Sequence, residues 1–139
     1  MLLPFVGTTP LMMTAALLFL VEDEPLISTL IEDALTEAGF EVVVAADGRK
    51  AAAILEERGS EFRGLITDIR IGGGVDGWDL AHRARELVSG MAIIYITGDS
   101  AAEWTSKGVP KSLILQKPFA PAQIVTAISQ LLNQLDMPG

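Results

Sequence analysis

The sequence predicts one α/β domain, a doubly wound, five-stranded parallel sheet with five helices. Short apolar runs alternate five times with segments of helical periodicity, which is typical of parallel sheets whose strands are joined by helices. Four of these runs lead into polar or charged side chains, at the sheet edge where open α/β folds place their ligand sites. At 139 residues, the chain is long enough for one domain with its own core.

The five strands are predicted from the apolar runs. The first run, Leu17–Val21, stops abruptly at Glu22, Asp23 and Glu24, so it is predicted to be a strand buried on both faces. Pro25 cannot continue a strand but suits the first turn of a helix. The other predicted strands are residues 41–46, 65–68, 91–97 and 112–116.

Five helices are predicted from apolar stripes, caps and breakers. Asp47 and Asp76 each stand where an N-cap side chain is needed, and Gly39 stands where the first helix should stop. The predicted helices are residues 25–38, 48–57, 77–87 and 101–106, and a last helix that starts at Pro121.

Composition and charge narrow the classes of function. The chain has no cysteine, which excludes disulfides, thiolate metal sites and cysteine nucleophiles. Its single histidine, His82, excludes a multi-histidine metal site within one chain. A formal charge of −8 argues against direct nucleic-acid binding, because such binding needs a basic surface. These features fit a cytoplasmic protein that meets cations or basic partner surfaces.

Residues 1–21 carry no charged side chain, and the part before the first strand is interpreted as an arm, with targeting or membrane contact as the less favoured alternative. The segment lacks the basic start of a signal peptide, and prolines and a glycine interrupt it as a membrane span. The arm is expected to be disordered or to precede the native start of translation. The expected division is an arm at residues 1–15, a domain at 16–135 and a tail at 136–139.

Polar groups follow four of the predicted strands: the pair Glu22-Asp23, then Asp68, Thr97 and Lys117. Because the carboxyl ends of parallel strands lie along one edge, these side chains are expected to share one site. Closely spaced acids repel one another unless a cation is bound, and oxygen ligands suit Mg²⁺. A carboxylate beside a cation, a hydroxyl and an ammonium form a phosphoryl-transfer site, in which Asp68 can attack phosphorus.

These residues, in this order, resemble the response-regulator receiver domain, the CheY-like family of two-component signalling. The resemblance covers about residues 16–135, and its motifs are Glu22-Asp23, Asp68, Thr97-Gly98 and Lys117-Pro118-Phe119. It implies a flavodoxin-like fold in which Asp68 is the phosphoacceptor and Thr97 the switch hydroxyl. It also implies that Lys117 contacts phosphate and that the Lys117–Pro118 bond is cis.

The resemblance also implies a Mg²⁺ site. Its acidic pocket would consist of Glu22 and Asp23, with Asp23 as a direct ligand beside Asp68. The main-chain carbonyl of Arg70 would be a further ligand.

Three departures from the family pattern affect the expected switch. The loop after Asp68 is Ile71-Gly72-Gly73-Gly74 instead of containing Met-Pro, and its glycines are expected to increase its mobility in the unbound state. Ile114 stands three residues before Lys117, where the family has its switch aromatic, which puts the usual threonine-to-aromatic coupling in question. The short fourth helix contains Trp104, which is expected to reshape the output face.

The leading hypothesis is a stand-alone receiver that takes a phosphoryl group from a histidine kinase or histidine phosphotransfer protein and then switches protein contacts. It predicts a Mg²⁺ cofactor, an unidentified downstream protein, no contact with nucleic acid or membrane, and room for a homodimer. It also predicts that the protein is not an enzyme. The alternative is a non-phosphorylated docking or dimerisation module, motivated by the glycine loop and Ile114. An aspartyl-phosphate enzyme is less favoured, because it wants a second acid where Arg70 stands.

Overall fold

The five strands form one parallel sheet, as predicted, in a computed structural model that describes residues 15–136. The strands are β1 (Leu17–Val21), β2 (Glu41–Ala45), β3 (Gly64–Asp68), β4 (Ala92–Thr97) and β5 (Leu113–Gln116), in the order β2-β1-β3-β4-β5. The direction of the strand order changes between β1 and β3, and open sheets place ligands at such a switch point. Apart from residue 15, the expected N-terminal arm lies outside the described residues, as does the tail beyond residue 136.

The helices are α1 (Pro25–Glu37), α2 (Gly48–Arg58), α3 (Gly77–Leu87), α4 (Trp104–Lys107) and α5 (Pro121–Asp136). The short helix predicted around residues 101–106 is present, but it begins as a 3-10 turn, Ala101–Glu103, and only the single turn of α4 is α-helical. The Glu103 N–H donates to Ser100 O, three residues back, which is the tighter bonding pattern of a 3-10 turn. Within the described residues, no helix combines the length and apolar character that a membrane span requires.

Each strand divides its side chains between two apolar cores, one on each face of the sheet. In β1, Phe19 and Val21 belong to the core under α2 and α3. Leu18 and Leu20 belong to the core under α1 and α5. All four side chains are fully buried, which explains why this strand reads as a continuous apolar run rather than an alternating one.

Two aspartates fix the helix starts that border the site. Asp47 accepts a hydrogen bond from Lys50 N at 2.8 Å and caps α2, as predicted. Asp76 caps α3 in a reciprocal arrangement with Asp79, in which each side chain accepts from the other residue's backbone N–H. Both helices therefore begin next to the carboxyl edge of the sheet.

The loop between β3 and α3 packs against the first turn of α2 through glycines. Gly72, Gly73 and Gly74 have φ angles between +63° and +80°, which glycine adopts without strain. The Gly48 N–H donates to Gly72 O at 3.1 Å, and a Cβ on Gly48 would lie only 2.1 Å from Val75 O. The loop and α2 thus approach each other more closely than a side chain at residue 48 would allow.

Candidate functional site

Three carboxylates meet at the carboxyl edge, where β1 and β3 are neighbours. Val21 pairs with Thr67, so the residues that follow, Glu22 and Asp68, emerge side by side. Oxygen atoms of Glu22, Asp23 and Asp68 all lie within 4.8 Å of one another. Glu22 is 1% exposed and Asp68 is 7% exposed, whereas Asp23 faces solvent. The predicted acidic cluster is therefore a buried pair of carboxylates with a third at its open side.

Lys117 brings the countercharge from the far side of the sheet. Its Nζ donates to Asp68 Oδ2 at 2.9 Å and lies 3.3 Å from Glu22 Oε1 and 3.7 Å from Glu24 Oε1. Its backbone N–H donates to Thr97 O at 2.7 Å, which fixes the chain after β5 against the end of β4. The Lys117–Pro118 peptide bond is cis, as the resemblance implied.

The site carries more negative charge than its lysine neutralises. Burial raises the pKa of Glu22 to about 7, and the Asp68 charge contributes, although the Glu24 N–H and Lys117 act in the opposite direction. Burial alone would lower the pKa of Lys117, but its hydrogen bond to Asp68 and the charges of Asp68 and Glu22 raise it overall. Lys117 is therefore firmly cationic, while Glu22 ionises only near neutrality.

One buried oxygen at the site lacks a hydrogen bond. Glu22 Oε2 accepts from the Glu24 N–H at 3.1 Å, but Oε1 has no hydrogen-bond partner within the part of the chain that the structure describes. Lys117 Nζ, 3.3 Å away, forms an ion pair with this atom without the geometry of a hydrogen bond. This oxygen therefore has a charged neighbour but no hydrogen bond, and a hard cation among all-oxygen donors would complete its coordination. The residues present therefore fit a divalent cation such as Mg²⁺.

Thr97 ends β4 at the site, but its hydroxyl is engaged by the following turn. The side chain is 1% exposed, and its Oγ1 accepts from Ser100 N at 2.8 Å and from Asp99 N at 3.2 Å. The register pairs Asp68 with Ile96, so Thr97 lies one residue beyond the level of Asp68. In the described structure the hydroxyl is bonded to this turn and not to Asp68, and its switch role stays a prediction.

The side chain of Arg70 binds Asp99, a residue for which the sequence predicted no role. Its Nε donates to Asp99 Oδ1 at 3.0 Å, and the same oxygen accepts from Ser100 Oγ at 2.8 Å. Both charged side chains are largely exposed. The ligand role of the Arg70 carbonyl stays a prediction. Asp99 stands two residues after Thr97, so the strand-end pattern that found Thr97 could have drawn attention to it.

The aromatic side chain near the predicted switch lies on β4 rather than β5. Ile114 of β5 pairs with Tyr95, whose ring is fully buried 4.7 Å from the ring of Trp78. The Tyr95 hydroxyl accepts from Val109 N at 3.0 Å. This tyrosine is therefore a fixed core residue, and its neighbour Ile114 has no ring to rotate.

The fold and this cleft define the class of the protein. The family model of the response regulator receiver domain matches residues 18–129, and the chain belongs to that family of two-component signalling proteins. A solved response regulator receiver protein from Sinorhizobium medicae WSM419 is 44% identical, with a TM-score of 0.85, and the match covers 88% of this chain and 98% of that one. The chemotaxis protein CheY4 of Vibrio cholerae is 25% identical with a TM-score of 0.75, over 85% of this chain and 99% of that one.

Longer proteins share the same domain. The transcriptional regulatory protein CusR of Escherichia coli K12 is 31% identical over 119 residues, 84% of this chain and 51% of CusR. The sensor kinase CckA of Brucella abortus is 30% identical over 125 residues, 88% of this chain and 13% of CckA. The chain thus spans about half of CusR and a small part of CckA.

Proposed function

We propose that this chain accepts a phosphoryl group on Asp68 from the phosphohistidine of a histidine kinase or histidine phosphotransfer protein, and that the modification changes its protein contacts. The proposal rests mainly on the surroundings of the Asp68 carboxylate. Its carboxylate is almost buried, lies 2.9 Å from the Lys117 ammonium and shares a cluster with two further carboxylates. A nucleophilic carboxylate between a fixed cation and a cation-binding pocket suits phosphoryl transfer.

The proposed chemistry is a reversible exchange at phosphorus. A carboxylate oxygen of Asp68 forms a bond to phosphorus while the bond from phosphorus to the donor imidazole nitrogen breaks. The nitrogen keeps the electron pair, and Asp68 becomes an acyl phosphate. Water later forms a new bond to phosphorus as the bond to the carboxylate oxygen breaks, which releases inorganic phosphate and restores Asp68. Asp68 is thus a reactant in its own modification, and the protein is not proposed to be an enzyme.

The surrounding residues have distinct proposed roles. Glu22, Asp23, Asp68 and the Arg70 carbonyl would hold Mg²⁺, which when bound neutralises charge on the phosphoryl oxygens. Lys117 already donates to Asp68 Oδ2 and would stabilise the negative charge that moves onto the phosphoryl group.

Thr97 would donate its hydroxyl hydrogen to the attached phosphoryl group, while its oxygen still accepts from the turn. A hydroxyl has one donor and two acceptor positions, so both roles are compatible. The output would then be a protein contact in the cytoplasm. The −8 charge supports protein rather than nucleic-acid partners.

Intact mass after incubation with acetyl phosphate and Mg²⁺ tests the proposal. We expect the mass of one phosphoryl group to be added to wild type and not to Asp68→Asn, which keeps the shape of the side chain and removes its nucleophilic charge. No addition, or equal addition to both proteins, would overturn the proposal. If wild type and Asp68→Asn bound the native partner equally under phosphorylating conditions, the alternative of a non-phosphorylated docking module would be favoured.

The donor is proposed to be a protein because the cleft opens beside an apolar groove. The groove, of about 410 Å³, lies between α1 and the segment from β5 to α5, and Lys117 is among the residues that line it. Leu30 in its wall is 55% exposed, and the neighbouring Leu26 is 80% exposed. A small donor needs no such surface, whereas a protein that presents its histidine to Asp68 can cover it.

Leu30→Asn separates the two kinds of donor. Transfer from a phosphorylated histidine phosphotransfer protein that is active on wild type should slow by about tenfold, because an apolar contact of the complex is lost. Phosphorylation by acetyl phosphate should be unchanged, since a donor of that size does not need to cover the groove. Equal rates from the protein donor would show that the groove is not its docking surface.

A further inference from the structure

We propose that Arg70 is a second phosphoryl-binding cation, held by Asp99 before transfer, and that its exchange from Asp99 to the phosphoryl group releases the loop after β4. This inference rests on the proposed phosphorylation of Asp68. It assigns a ligand contact to the Arg70 side chain, apart from the metal role expected of its main-chain carbonyl. A substitution at residue 70 keeps the carbonyl, so the side chain can be tested separately.

The ion pair joins the two loops that flank Asp68. Arg70 lies two residues after Asp68 on the β3–α3 loop, and Asp99 lies on the loop after β4. Arg70 Nε donates to Asp99 Oδ1 at 3.0 Å, and that oxygen also accepts from Ser100 Oγ. The N–H groups of Asp99 and Ser100 in turn donate to Thr97 Oγ1. The arginine is thus connected, through two neighbouring residues, to the proposed switch hydroxyl.

The resting pair is weak enough to exchange. The side chains of Arg70 and Asp99 are 71% and 61% exposed, and ion pairs this exposed contribute little to stability because water screens them. A phosphoryl group offers up to two negative charges and several acceptor oxygens, which a guanidinium fork can bind at two points. A phosphoryl group at residue 68 is therefore the stronger competitor for Arg70.

Arg70 stands two residues after the phosphoacceptor, and the charge of Asp68 acts on its guanidinium, although more weakly than that of Asp99. The hydrogen bond and charge of Asp99 raise the pKa of Arg70 most, and smaller increases come from Glu103 and Asp68. The other cation on this side, Lys107, is bonded to Glu103. Arg70 lies on the loop directly after Asp68 whereas Lys107 ends α4, so Arg70 is the better placed of the two to bind a phosphoryl group on Asp68.

The loop after β4 has space in which to respond. A cavity of about 370 Å³ lies between the β3–α3 loop and the segment after β4, and Arg70, Trp78, Ser100 and Glu103 are among its lining residues. Once Arg70 turns toward Asp68, Asp99 loses its charged partner on the opposite loop. Residues 98–100 then keep only the hydrogen bonds of their own turn, so phosphorylation loosens this turn without any rotating aromatic ring, while α4 stays anchored through Trp104 to Ser112.

Binding of fluoroberyllate, a phosphoryl mimic, in the presence of Mg²⁺ tests the exchange, with four variants of the full chain. We expect Arg70→Ala to weaken binding about fivefold to tenfold and Arg70→Lys to recover part of the loss. Asp99→Asn should tighten binding about twofold to threefold, because the competitor for Arg70 is removed. Arg70→Ala and Asp99→Asn break the same ion pair, so a merely structural role would shift binding in one direction for both. Arg83→Ala breaks the exposed pair with Glu56 between α3 and α2 and should leave binding unchanged.

Amide hydrogen exchange of residues 98–100 gives a second readout. Fluoroberyllate should speed exchange in wild type, because the hydrogen bonds from Asp99 N and Ser100 N to Thr97 Oγ1 open more often once Asp99 no longer pairs with Arg70. Arg70→Ala and Asp99→Asn should show this faster exchange before any addition. Failure of wild type to bind fluoroberyllate or to be phosphorylated would overturn the proposed function itself. If wild type binds, any result other than weaker binding by Arg70→Ala together with tighter binding by Asp99→Asn overturns the exchange. Unchanged amide exchange in wild type would overturn the release of the loop.

Discussion

The phosphoacceptor cleft and the β4–β5 side of the molecule lie one strand apart, yet they differ in the hydrogen bonding of their polar atoms. In the cleft, one oxygen of Glu22 has no hydrogen bond within the described residues, and the acids outnumber Lys117. On the other side, the Tyr95 hydroxyl and the Trp104 indole N–H both have partners. An unsatisfied site is ready to take up a ligand, whereas a satisfied one resists rearrangement.

The satisfied side is a connected network. Trp104 Nε1 donates to Ser112 Oγ at 2.9 Å, Ser112 Oγ donates to Val109 O at 2.6 Å, and Val109 N donates to Tyr95. A Cβ on Gly108 would lie 2.4 Å from Trp104 Cδ1, so the indole packs directly on the backbone. Reactivity and rigidity are thus separated across a single strand, and the loops move more easily than this core.

Lys117→Ala should have the largest effect, and that effect should fall on the cleft. The rate of phosphorylation by acetyl phosphate should fall roughly 100-fold, because the donor that stabilises charge on the phosphoryl group is lost. Time courses of intact mass measure the rate, and Lys117→Arg, which keeps the charge, should retain part of it. A rate of Lys117→Ala close to that of wild type would remove Lys117 from the proposed site.

Glu22→Gln should remove a buried negative charge from the cleft. Because folding raises the pKa of Glu22 from 4.5 to about 7, the folded protein holds this proton more tightly than the unfolded chain. Without metal, the stability contributed by this group therefore falls as the pH rises through that window. The variant should lose this slope and be more stable by about 1–3 kcal/mol at about pH 8, while its Mg²⁺ affinity falls.

Urea unfolding in the presence of a chelator, at about pH 5 and about pH 8, measures the slope in both proteins. In wild type, Mg²⁺ should bind more weakly below about pH 7, since it competes with the proton on Glu22. An identical pH slope in wild type and Glu22→Gln would contradict the assignment of the raised pKa to this residue.

Tyr95→Phe should act on the rigid side alone. The hydrogen bond to Val109 N is lost while the ring contact with Trp78 is kept, so we expect a loss of about 1–2 kcal/mol in the free energy of unfolding. Phosphorylation by acetyl phosphate should be unchanged within about twofold. A large change in the phosphorylation rate would show that this side is coupled to the cleft after all.

Trp104→Phe should have the smallest effect. It removes the donor to Ser112 Oγ, but that oxygen remains bonded to Val109 O, so the cost should be about 0.5–1 kcal/mol. Chemical unfolding measures it, with Ser112→Ala as the reciprocal variant. A cost well above that of Tyr95→Phe would place the main anchor of this segment at Trp104.

The fold was largely predictable because its signals are local. Leu17–Val21 is apolar throughout since both faces of β1 are covered, and Asp47 and Asp76 stand one residue before the helices that they cap. The short helix is present where it was predicted, but its first turn is 3-10, because the Glu103 N–H donates to Ser100 O and side-chain periodicity does not distinguish this tighter turn from an α-helix.

The sequence predicted which residues line the cleft, but it did not predict the side-chain contacts around it. Asp68 ends β3 and Lys117 follows β5, and both strands end at the same edge of the parallel sheet. The topology therefore places the two residues near each other, whatever the sequence of the segments that connect the strands. The pairing of Arg70 with Asp99 depends on the conformations of two loops, and Ile114 gives no indication that its neighbour Tyr95 would be a fully buried ring bonded to Val109. Such contacts between distant loops leave no periodic pattern in the sequence.

The close approach at Gly48 constrains how this protein can vary. Even alanine there would collide with Val75 O and force the β3–α3 loop, which carries Arg70, away from α2. In a saturation library selected for signalling, residue 48 would tolerate almost no substitution, whereas the exposed Arg49 and Lys50 beside it would drift freely. Residue 48 would then be invariant for a steric reason, the packing of the β3–α3 loop on α2, although it takes no part in the chemistry of the cleft.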